Sequence, residues 1–137
     1  MPIPVWVLLG FAAWTLFILF ATVGVYRWSR ILSTAIATWR ADQGSEWYRR
    51  AMRAHINCLE NLPIYTAIVV ALLAVRVTSP ILDGLAITIL VARICQSSIH
   101  LLLEQTNMVA GIRFAFYFLQ AISMIAMGIL VAISTRP

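Results

Sequence analysis

Three groups of polar residues recur at helical spacing inside segments that are otherwise apolar. Arg50, Arg53, Asn57 and Glu60 follow i, i+3, i+7 and i+10, one face of a helix, with Asn61 at its edge. Arg93, Gln96, Ser97, His100 and Glu104 form a second face, and Arg113, Tyr117 and Gln120 a third. A charge at the centre of a membrane span costs roughly 2.5–3.5 kcal/mol on insertion scales, so each such side chain needs a partner or a role. Guanidinium groups take carboxylates bidentately, and a carboxylate takes an ammonium. Three converging faces therefore suit a small zwitterionic or multi-carboxylate ligand. The alternative is that the groups pair only with each other and hold helices together. Three stripes at one depth favour the ligand.

Helices must carry these faces, and composition says where they lie. The chain has 137 residues, 62% hydrophobic and 11% charged, with a mean hydropathy of +0.91. A soluble domain is nearer 45–50% apolar and about 25% charged. Disorder, a disulfide scaffold and a nucleic-acid partner are excluded, although the net charge is +5. All ten basic residues are Arg, which reads more simply as compositional bias than as function. Cys58 and Cys95 sit in apolar stretches without zinc-ligand spacing, so both read as packing residues and no metal site is expected. His55 falls on another face from Arg53 and Glu60 and reads as an interfacial hydrogen-bonding residue. His55 and His100 do not share a face as paired haem ligands would. A small proton-coupled exporter would need a carboxylate in its first span, and none is present there.

The expected architecture is an all-α integral membrane protein, a four-transmembrane-helix bundle forming one domain over 1–137. Its spans are placed at about 3–26, 54–75, 81–103 and 112–133, each near the roughly 20 residues that cross a bilayer. The first apolar run lacks a basic leader and cleavage site and reads as a retained anchor. Pro63 is expected to kink the second span, because it cannot donate to the Leu59 carbonyl. Ile31, Leu32, Ala35, Ile36 and Trp39 have the spacing of an interfacial helix, with Trp28 and Trp47 as belt residues. Six arginines flank or occupy the first loop, and the Glu104–Gly111 connection lies on the same side. The positive-inside rule then places both termini on the non-cytosolic side and the stripes toward the cytosol.

The segment Arg53-Ala54-His55-Ile56-Asn57-Cys58-Leu59-Glu60-Asn61-Leu62-Pro63, opening the second span, resembles the signature of the MAPEG family. These are the membrane-associated proteins of eicosanoid and glutathione metabolism. Its Asn-Cys-x-Glu variant looks closest to the leukotriene C4 synthase and microsomal glutathione transferase branches. The resemblance implies homotrimers of four-helix subunits that bind glutathione at subunit boundaries, in a bacterial inner membrane or the endoplasmic reticulum. It implies Arg53, Asn57 and Glu60 as glutathione-binding residues and Arg113 as the arginine that stabilises the thiolate. Tyr117 matches a tyrosine that contacts the tripeptide, and Arg93 a third-span arginine with a structural or binding role. Gln96 and His100, which replace aromatic or histidine positions of the eicosanoid enzymes, complete the expected binding set. Ile56 stands where several family enzymes have Arg. Phe114 stands where the prostaglandin E synthase branch has Ser, which argues against prostaglandin chemistry.

The function so implied is a glutathione-dependent membrane transferase acting on a lipophilic small-molecule electrophile, or reducing a peroxide. The alternative is a non-enzymatic binding or scaffold protein of the same family. A free thiol with a pKa near 8.5 is only a few per cent ionised at neutral pH, and each unit of lowering needs about 1.4 kcal/mol. A guanidinium in a poorly hydrated pocket can supply that, and a position at a helix start would add the helix's positive end.

Overall fold

The structure is a computed structural model that describes residues 1–33 and 45–135. Ala35, Ile36 and Trp39 of the expected interfacial segment, with Arg40, Asp42 and Arg136, lie outside the described residues. The chain opens with helix α1 (Ile3–Ile18), which passes through a π-helical segment (Leu19–Gly24) into α2 (Val25–Ser33). Three further helices follow: α3 (Glu46–Val75), α4 (Pro80–Leu102) and α5 (Asn107–Ile133). Among the described residues, four stretches are long and apolar enough to cross a membrane: Ile3–Leu32, Glu46–Val75, Pro80–Leu102 and Asn107–Ile133. The fold is an all-helical four-span membrane bundle.

The helices reach beyond the apolar runs, because hydropathy marks the width of the bilayer and not where a helix is capped. The Ser45 hydroxyl accepts the Tyr48 amide at 3.2 Å and starts α3 at Glu46, eight residues before Ala54. The Thr106 hydroxyl accepts the Val109 amide at 3.2 Å and starts α5. The expected Glu104–Gly111 loop is thereby cut to the few residues between Leu102 and Asn107. Ser79 caps α4 with Pro80 at its first position, as the missing proline N–H allows. Arg76 closes α3 in the left-handed region at φ 53°. Helix α3 runs on through Pro63, so the Leu59 carbonyl is left without an amide donor.

Helix α4 packs most extensively on α5, and α1 packs on α3 and α4. Between helices in lipid the hydrophobic effect supplies little, so close contact of small residues must carry the packing. Ala51, Ala54, Ala86 and Ala92 are all buried, and a Cβ on Gly10 would stand 3.1 Å from a Leu90 methyl. Around them Phe11, Ile18, Tyr65, Leu72, Ile89 and Met127 form the core. Near the α1–α3 loop, Tyr26 stacks on Tyr48 at 4.3 Å, and Arg27 Nε donates to Tyr48 Oη at 2.9 Å.

The π-helical segment was not legible in the sequence. Its wider turn brings position 24 against the Leu19 carbonyl, where a Cβ would lie at 2.8 Å. The Thr22 hydroxyl donates to the Ile18 carbonyl within the same turn. Glycine is thus required by the close approach of backbone. Gly24→Ala is expected to cost about 1–3 kcal/mol, as overpacking does, read as a lowered midpoint of thermal unfolding in detergent. A Gly24→Ala variant as stable as the wild type would show that the turn opens freely.

Candidate functional site

The three polar stripes meet between α3, α4 and α5. From α3, the Asn57 amide lies 3.1 Å from Nε2 of His100 on α4. From α5, Arg113 Nη1 lies 3.0 Å from the same ring's Nδ1. One turn deeper, Gln120 Nε2 donates to Gln96 Oε1 at 2.9 Å. On the α3 side, Cys58 Sγ lies 3.5 Å from Ser97 Oγ. Helical spacing makes these contacts possible: Gln96 and His100 are four apart on α4, and Arg113, Tyr117 and Gln120 repeat along α5.

Asn57, Gln96, His100, Ala110, Arg113, Phe114 and Tyr117 line an open cleft of about 270 Å³. Its polar groups are mainly donors: a guanidinium, two amides, an imidazole and a phenol. Such a wall fits an anionic, amide-containing ligand. Tyr117 also borders a second cleft of about 160 Å³, lined by Asn61, Ile64, Ala121, Met124 and Ile125. A polar cleft and a mostly apolar one therefore share a single tyrosine as their common wall.

The remaining residues singled out in the sequence stand around this centre. Arg53 is exposed at the mouth, with Nη1 donating to Gln105 Oε1 at 3.0 Å. Glu60 is exposed on α3 outside the cleft's lining, although it lies within electrostatic reach of Arg93. Arg93 is fully buried behind the site, with its guanidinium carbon 5.7 Å from the Phe11 ring centre. Among the described residues none of its guanidinium nitrogens meets a nitrogen or oxygen partner, and the Cys58 thiol and the Tyr117 phenol are its polar neighbours. His55 is half-buried and faces the Thr15 backbone on α1, away from the cleft. Cys58 and Cys95 are both free thiols.

One element of the expected chemistry is corrected by the position of the helix start. Helix α5 begins at Asn107, so Arg113 sits in its second turn, and the macrodipole's influence fades within the first. The positive charge offered to a ligand is that of the guanidinium alone. Phe114 and Ala110 also line the cleft; their one-sided spacing with Arg113 and Tyr117 is the signal that would have found them.

Four apolar helices with a polar cleft between three of them define an integral, multi-pass membrane protein. The MAPEG family model matches residues 4–133, essentially the whole bundle. The chain belongs to the MAPEG family. Comparison with curated proteins and with solved structures returns no match.

Proposed function

We propose that this protein is a glutathione-dependent membrane transferase, binding the tripeptide in the α3–α5 cleft and using its thiolate against a lipophilic electrophile. The observation that carries the reading is the pairing of the two clefts across Tyr117. Arg113, Asn57 and Gln96 offer donors to an anion, while Ile64, Ala121, Met124 and Ile125 offer an apolar surface beside it. A water-soluble thiol and a substrate dissolved in lipid can meet only at such a boundary. Arg113 would hold the thiolate by charge; the sulfur would attack the electrophilic carbon, and the leaving group or a proton-accepting product would depart to water. With a peroxide, the thiolate would instead attack oxygen, and a second glutathione would complete the disulfide.

The subunit is proposed to work as a homotrimer. Glu60 lies exposed on an apolar helix, and Phe114, Tyr117 and Phe118 are exposed beside the cleft. An exposed carboxylate within a span is costly in lipid, and a second copy over this face would cover it and close the cleft. By the positive-inside rule the arginines of the first loop would put the cleft toward the cytosol, where glutathione would enter, and the role implied is conjugative detoxification.

The test is calorimetric titration of glutathione into the purified protein in detergent, with conjugation of a generic aryl halide followed alongside. The wild type is expected to bind at millimolar glutathione or below and to conjugate. Asn57→Leu, which removes a donor and turns an apolar group into the cleft, should weaken binding about tenfold or more. Absence of binding by the wild type at millimolar glutathione would overturn the reading in favour of a non-enzymatic member of the family.

A further inference from the structure

The two hydrogen bonds of His100 cannot both be formed as donor contacts to the ring. A guanidinium only donates, so the Arg113 contact at 3.0 Å makes Nδ1 an acceptor. A neutral imidazole has one acceptor nitrogen, so the hydrogen must reside on Nε2. Nε2–H then faces the Asn57 amide at 3.1 Å, and that contact is satisfied only by the amide oxygen. Amide oxygen and nitrogen positions are interchangeable by a half-turn of the side chain. With Oδ1 turned to the ring, the Nδ2 hydrogens of Asn57 are released to a ligand in the cleft that Asn57 lines.

The bond to His100 is also the one side-chain hydrogen bond of Arg113 among the described residues, and Arg113 Nε is buried without a partner. The ring itself is almost wholly buried, 6% exposed, wedged between α3 and α5. It therefore has little surface to offer a ligand but controls the aim of two groups that do. We infer that His100 is a positioning residue: a neutral imidazole, protonated on Nε2, that aims the Arg113 guanidinium and turns the Asn57 amide to present its N–H groups. This assigns His100 a role distinct from direct contact with the tripeptide. Its catalytic consequence rests on the function proposed above, whereas the tautomer does not.

Two substitutions separate the two bonds. Asn places its amide atoms where Nδ1 stands, one bond beyond Cγ, and so keeps an acceptor for Arg113. Gln reaches the Nε2 position and keeps only the Asn57 contact. In His100→Gln the thiolate absorbance of bound glutathione and kcat should fall about tenfold or more, while in His100→Asn both stay within about threefold of wild type. Glutathione affinity should change less than kcat in His100→Gln, and more than kcat in His100→Asn, which loses the Asn57 contact. Equal losses in the two variants, or no loss in either, would overturn the inference. The tautomer is read separately, from ¹⁵N chemical shifts of ring-labelled histidine in micelles at neutral pH. A bare Nδ1 and a protonated Nε2 for His100 are expected, and the Nδ1–H tautomer or an imidazolium would overturn it. If the wild type binds no glutathione, the function proposed above fails while the ¹⁵N result still decides the tautomer.

Discussion

Arg113→Ala is expected to lower the rate of conjugation by about two to three orders of magnitude while leaving measurable glutathione binding. Removing one preorganised group aimed at a developing or held anion typically costs that much in kcat. The structure provides a single guanidinium among the cleft's lining residues, and its helix position excludes help from the α5 dipole. No other described residue lining the cleft carries a fixed positive charge, so the thiol bound to Arg113→Ala should remain largely protonated at neutral pH. Asn57, Gln96 and Tyr117 still offer neutral donors, and these sustain part of the affinity. Arg113→Lys should recover only part of the loss. An ammonium is a compact, strongly hydrated charge without the planar fork that lets one edge bond His100 while the other meets a ligand. The measurement is ultraviolet difference absorbance on adding glutathione, paired with calorimetric binding of the same samples. A thiolate signal in Arg113→Ala equal to that of the wild type would remove Arg113 from the chemistry.

The site was legible in the sequence to the extent that helical geometry is rigid. Once Asn57, His100 and Arg113 are placed on helices, their spacing from neighbouring polar residues fixes which faces can meet, and these three do meet. The same spacing rule overreached at Glu60. At 3.6 residues per turn Glu60 lies about 60° around the helix from Asn57, enough to move it from the cleft to the exposed side. Periodicity defines a face but not its edge. Arg93 shows the other limit. It shares the α4 stripe with Gln96 and His100, yet it lies fully buried behind the cleft against Phe11, because a stripe along a helix changes depth as well as direction. Helix ends were hidden for a different reason. Ser45 and Thr106 start their helices among polar residues, whereas hydropathy registers only the part of a helix that lies in lipid. The π-helical turn left no pattern at all beyond Gly24.

The largest effect on stability is expected at Phe11, which is fully buried where three helices meet. Its ring lies 6.2 Å from that of Tyr65, whose hydroxyl donates to the Pro4 carbonyl at 2.9 Å, and Arg93 stacks over it. Phe→Ala in a packed core costs about 3–5 kcal/mol in water-soluble proteins. In detergent the unfolded helices still sit among apolar chains, so the transfer contribution shrinks while the cavity and the lost dispersion contacts remain. A loss of about 3 kcal/mol is therefore expected for Phe11→Ala, read as unfolding midpoint. Phe11→Leu fills most of the space, and what it removes is the π face beneath the Arg93 guanidinium. With no nitrogen or oxygen partner for that guanidinium among the described residues, the ring is one of its few favourable contacts, and a desolvated cation–π pair is worth about 2 kcal/mol. Arg93→Met removes the buried charge and should be neutral or stabilising by itself. In that background Phe11→Leu should cost about 1–2 kcal/mol less than in the wild type. If Phe11→Leu costs the same in both backgrounds, the ring fills space and does not hold the charge. The buried charge would then have to be held by Cys58, Tyr117 and the Glu60 carboxylate.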